Sequence, residues 1–134
     1  MRVGMRAAVR DSIVAHAREA APAECCGLLL GRGEEIVEAR RARNVADDRT
    51  NRFLIDPADH FAARRAARAG GLEVTGFYHS HPTTPAEPSE RDLAEFSYAG
   101  HLYAIVSLRV DPAEVRLFRY EAGNFHRVPF VTVA

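Results

Sequence analysis

The stretch GFYHSHPTTPAEPSERD, from Gly76 to Asp92, sets two histidines one residue apart and follows them with prolines, a serine and an aspartate. Residues i and i+2 of a strand project from the same face, so the imidazoles of His79 and His81 converge if this run is extended. Neutral imidazoles are common zinc donors. An isolated His-x-His is more often a surface pair or a hydrogen-bonded core feature, so Asp92 matters. The segment PTTPAEP between His81 and Ser89 holds three prolines, which stiffen it and limit where its far end can go. A helix opening at Ser89 then presents Asp92 on its first turn. Two imidazoles and one carboxylate leave a fourth position for water, as in a catalytic zinc site and not a closed structural one.

A plainer reading of SERD competes. Ser89 followed three residues later by Asp92 has the form of a capping box, which would explain both side chains without a metal. The readings are compatible, because a capping serine can still aim its hydroxyl into a cleft. Zinc-assisted hydrolysis also needs a base, and here spacing leaves Glu24, Glu73, Glu87, Glu90 and Glu95 all open.

The elements that must position these groups follow from periodicity and breakers. Apolar residues at helical spacing predict a helix from about Arg6 to Ala20, ended by Pro22. CGLLLG (Cys26 to Gly31) reads as a buried strand, and Glu35 to Arg43 as a second. NVADDRTNR is a polar loop, followed by a short strand in FLID and a helix from Pro57 to Ala69 stopped by two glycines. LEVTGFYHSH is a strand, Pro82 to Pro88 a loop, and Ser89 to about Tyr98 a helix. Strands at His101–Ser107, Val115–Tyr120 and Phe125–Val133 complete a single mixed α+β domain over residues 1–134.

Composition narrows the function classes. With 134 residues, 47% of them hydrophobic, and a formal net charge of +0, the chain can hold a core and has no basic excess for nucleic acid. No apolar run reaches membrane-spanning length, and the amphipathic N-terminus lacks a signal-peptide core. Every basic residue is arginine. The only cysteines, Cys25 and Cys26, are adjacent and cannot staple distant segments, which fits a reducing cytoplasmic setting. Catalysis by either is a weak reading, since no histidine lies near them in sequence. His16, His60 and His101 read as packing or surface residues, and Arg64 to Arg68 as a solvated helix face. Of Phe77 and Tyr78, one should enter the core and the other line the cleft.

HSHPTTPAEPSERD resembles the motif of the JAMM (MPN-plus) zinc metalloproteases: His-x-His, seven residues, Ser, two residues, Asp. PAECCGLLLG and RFLIDP are also similar to family segments, so the resemblance runs in order along nearly the whole chain. It implies a curved mixed sheet flanked by helices, the MPN fold of cytidine-deaminase-like type. It implies one catalytic zinc on His79, His81 and Asp92, with Glu24 as the general base and Ser89 as donor to the oxyanion. Family members cleave after the C-terminal Gly-Gly of ubiquitin or ubiquitin-like proteins. Only eight residues separate Asp92 from His101, so insertions that grip ubiquitin chains are missing. The chain is similar to compact prokaryotic members, whose implied substrates are ubiquitin-like sulfur carriers. A non-catalytic MPN scaffold binding such a partner is the alternative, and the oligomeric state stays open, a homodimer included.

Overall fold

The computed structural model describes residues 2–90, 92 and 100–134. Its strands are β1 (Val3–Arg6), β2 (Cys26–Arg32), β3 (Glu35–Ala42), β4 (Glu73–His81), β5 (Leu102–Ser107), β6 (Glu114–Glu121), β7 (Asn124–Arg127) and β8 (Phe130–Val133). The helices among the described residues are α1 (Ala7–Ala20) and α2 (Pro57–Ala69). All the strands form one sheet in the order β7-β6-β5-β4-β2-β3-β1-β8. No helix among the described residues is long and apolar enough to cross a membrane.

Strand alternation divides the core between the two faces of the sheet. On one face Val9, Ile13 and Ala17 of α1 pack with Leu29, Tyr78, Ala104 and Val106. On the other, Ala63 of α2 packs with Phe53, Ile55, Leu28, Phe77 and Ile105. Phe77 and Tyr78 are both fully buried, on opposite faces, and neither lines the cleft described below. The expectation that one of them would do so is therefore corrected: strand alternation gives each residue a helix-covered face. Gly27 is required opposite Tyr78, because a Cβ there would run into the Tyr78 ring and the Arg40 carbonyl.

α2 forms as its breakers predict. Asp56 caps it by accepting from the Ala58 N–H at 2.9 Å, Pro57 opens it, and Gly71 turns the chain away at φ +70°. The helix expected from about Arg6 to Ala20 is α1, and ahead of it stands a strand that the spacing did not indicate, β1, where Val3 and Met5 alternate into the core. Other expectations need correction. The single strand expected over Phe125–Val133 is two, β7 against β6 and β8 parallel to β1, at opposite edges of the sheet. Pro129, which has no N–H for a ladder, lies at the break. The short strand in FLID reduces to one bridge, Asn44 to Ile55. Of the helix expected from Ser89 to about Tyr98, Glu90 and Asp92 are helical, and the remainder beyond Ser89 lies outside the described residues.

Candidate metal centre

β2 runs antiparallel to β4, with Cys26 opposite His79 and Gly27 opposite Tyr78. The start of β2 therefore lies beside the end of β4, which carries Glu24 to the two histidines despite the long sequence separation. Ser80, between those histidines, fastens the junction. Its N–H donates to the Cys25 carbonyl at 3.1 Å, and its hydroxyl oxygen accepts from the Cys25 N–H at 2.8 Å.

His79 and His81 share the face of the sheet that carries Phe77. Their Nε2 atoms stand 3.1 Å apart, and Asp92 Oδ2 lies 3.2 Å from His79 Nε2 and 3.3 Å from His81 Nε2. Tetrahedral zinc with ligands at about 2.0–2.1 Å needs donor separations of roughly 3.3 Å. The donor types and the triangle they form fit a zinc-like ion. All three residues are buried. His81 Nδ1 donates to the Pro85 carbonyl at 2.7 Å, which fixes the proton on that nitrogen and leaves Nε2 as a lone-pair donor. The His79 ring stacks on Phe53 with centroids 4.2 Å apart.

Asp92 fills two roles. Its Oδ2 accepts from the Ser89 N–H at 2.9 Å, while its own N–H donates to Ser89 Oγ at 3.1 Å. This is a reciprocal capping box, and the same carboxylate oxygen faces both imidazoles. The Ser89 cap uses an oxygen lone pair and leaves the hydroxyl proton available as a donor.

The charges are mutually tuned. Burial pushes the Asp92 carboxyl up, but His79, His81 and the Ser89 N–H together hold it well below the usual carboxylate range. Burial lowers His79 more than Asp92 raises it, so its imidazole is kept neutral. Burial also opposes charge on His81, yet Asp92, the Pro85 carbonyl and Glu24 together raise it above its ordinary value. Burial pushes the Cys25 thiol up to about 11 and the Cys26 thiol higher still, so neither is a ready thiolate.

A cleft of about 690 Å³ opens here, lined by Glu24, Thr50, Asn51, His81, the proline loop, Ser89 and Glu90. Of the candidate bases, Glu24 is buried at 8% exposure against the site. Glu87 and Glu90 line the cleft, and Glu73 lies at the opposite end of β4 in a separate depression. Glu95 is outside the described residues. Sequence reasoning passed over Thr50 and Asn51, the tip of a loop braced by Asp48. Thr50 Oγ1 and Asn51 Nδ2 donate to the Asp48 carboxylate at 2.9 and 2.8 Å. The pattern D-x-T-N was the available signal, since aspartate commonly bonds groups two and three residues on.

Known proteins resemble this chain in sequence and in fold. The family model for prokaryotic homologs of the JAB domain matches residues 6–121. A desampylase of Haloferax volcanii is 37% identical over 112 residues, covering 79% of this chain and 81% of that one. The CysO-cysteine peptidase of Mycobacterium tuberculosis is 31% identical over 128 residues, covering 93% and 87%. A JAB1/MPN domain protein from Archaeoglobus fulgidus superposes with a TM-score of 0.66 at 23% identity, covering 98% of this chain and 97% of that one, a likeness of fold. With residues 6–121 matched by the family model and a relative 37% identical over 79% of its length, the chain belongs to the prokaryotic JAB-domain family.

Proposed function

We propose that this protein is a zinc-dependent peptidase or isopeptidase that hydrolyses the bond after the C-terminal Gly-Gly of a ubiquitin-like sulfur carrier. The observation that carries the reading is the buried His79–His81–Asp92 triangle, opening to a cleft that Glu24 and Ser89 both line. The names of relatives, a desampylase and a CysO-cysteine peptidase, support the substrate class.

In this reading His79, His81 and Asp92 hold one zinc ion. When bound, zinc supplies Lewis acidity, making water acidic near neutral pH and polarising the scissile carbonyl. The remaining work falls to the protein's own groups. Glu24 takes a proton from the attacking water and returns it to the leaving amine. The Ser89 hydroxyl donates to the oxygen that gains charge as the carbonyl carbon becomes tetrahedral. The walls of the cleft hold the extended tail, and the ordered proline loop keeps His81 oriented through Pro85.

The test is a purified sulfur-carrier fusion with a Gly-Gly junction, incubated with enzyme of measured zinc content. Cleavage after the second glycine, abolished by chelation and restored by zinc, is expected. Protein that takes up no zinc on reconstitution, or zinc-loaded protein that binds the carrier without cleaving it, would show a scaffold instead.

A further inference from the structure

We propose that Asn44 is the positioning residue that sets Glu24, coupling it to the loop that lines the cleft. The inference rests on Glu24 as the proton-transferring group. Asn44 follows β3, in the segment between β3 and α2, and forms a bridge with Ile55. Its amide uses its whole hydrogen-bonding capacity on main-chain groups. Nδ2 donates to the Glu24 carbonyl at 2.9 Å and to the Arg52 carbonyl at 3.1 Å. Oδ1 accepts from the Ala46 N–H at 3.0 Å and from the Leu54 N–H at 3.0 Å. A short carboxamide alone offers two donors and two acceptor lone pairs at this reach.

The same loop holds the other side of Glu24, whose N–H donates to the Arg49 carbonyl at 2.7 Å. Both main-chain polar groups of Glu24 are thus bound by the 44–52 segment, while its neighbour Cys25 is bound by Ser80. The side chain of Glu24 is aimed from a Cα whose two flanking peptide groups are each held. The tip of that loop, Thr50 and Asn51, lines the cleft. One amide therefore relates the base to the cleft wall, and a shift of about 1 Å in such a group can lower turnover by about 10²-fold.

Asn44→Asp is the discriminating variant. It can keep both acceptor bonds, to Ala46 and Leu54, and must lose both donor bonds, to Glu24 and Arg52. Wild type, Asn44→Asp, Glu24→Gln and the double variant are compared, zinc-loaded, on the Gly-Gly carrier fusion. We expect equal zinc content, kcat of Asn44→Asp lowered by about 10–100-fold and KM within about 3-fold. On the Glu24→Gln background, adding Asn44→Asp should lower kcat by less than about 3-fold, because a residue acting through Glu24 has nothing left to position. In the metal-free protein, exchange of the Glu24 amide hydrogen should quicken by at least about tenfold in Asn44→Asp. An equal loss in both backgrounds, unchanged kcat, or unchanged Glu24 exchange would overturn the inference while leaving Glu24 as the base. Full activity of Glu24→Gln would instead overturn the assignment of the base, and this inference with it. Asn44→Ala, which removes all four bonds, serves as the second variant. Loss of the fold in both Asn44 variants would make Asn44 a general stability residue and end the proposal.

Discussion

Alanine at His79, His81 or Asp92 removes one corner of a triangle whose donors stand 3.1–3.3 Å apart. Two remaining donors bind zinc weakly, so each variant should lose its zinc in elemental analysis, whereas wild type retains about one ion per chain. Glu24→Gln and Ser89→Ala should keep zinc, because neither residue is a donor in that triangle. Loss of a positioned base is expected to lower kcat by about 10²–10⁴-fold, and loss of one oxyanion donor by about 10²–10³-fold. Ser89→Ala also removes an N-cap worth about 1 kcal/mol, so its melting temperature must be compared before its rate is read. Full activity of zinc-loaded Glu24→Gln would move the base to Glu87 or Glu90, which line the same cleft. The triangle was legible in sequence because its members sit within one short stretch and obey strand and helix periodicity. Glu24 was not legible from spacing. Its place depends on the antiparallel pairing of β2 with β4, a long-range fact that local pattern does not contain, and only family resemblance singled it out.

Elements read from sequence when their ends carried chemistry. α2 announced itself through Asp56, Pro57 and the paired glycines, while β1 went unread because Val3 and Met5 are too short an alternation to mark a strand on their own. The contact of α1 with β4 yields a pH prediction. His16 Nδ1 lies 2.7 Å from the Tyr78 hydroxyl, and burial, aided by Arg41, lowers the histidine to about 4. The unfolded chain, with an ordinary value near 6.5, binds the proton first. Stability is therefore constant above about pH 6.5 and falls as pH drops from there toward about 4. Thermal melts across that window should decline more steeply for wild type than for His16→Gln, whose amide oxygen can accept from Tyr78 without titrating. Parallel declines would mean that His16 protonates equally easily in the folded protein. Where β2 meets β4, Gly27→Ala should destabilise by about 1–3 kcal/mol by displacing the Tyr78 ring, measurable by denaturant midpoint. Its rate should fall too, because that pairing carries Glu24 to His81.

For the whole molecule, compactness bears on the proposed substrate. The chain runs from Asp92 to β5 in too few residues for an added gripping subdomain, so on the proposed function affinity is expected from a carrier's tail in the cleft. Cleavage of Gly-Gly carrier fusions with little turnover of linked ubiquitin chains is the expected pattern in a side-by-side assay. Efficient ubiquitin-chain processing would contradict it. The curled sheet has a further consequence, for how the protein is made. Val3 pairs with Phe130, so β1 leaves the ribosome long before β8, the neighbour on its other edge, emerges. At synthesis rates of about 5–20 residues per second, that delay is on the order of 10 s. During it β1 can rest on β3 through Gly4 and Met5 alone, with its other edge open to any passing strand. β8 acts as a late clasp, and a chain stalled before Phe130 would present that open edge to its neighbours, making aggregation of nascent or truncated protein the chief hazard of this topology.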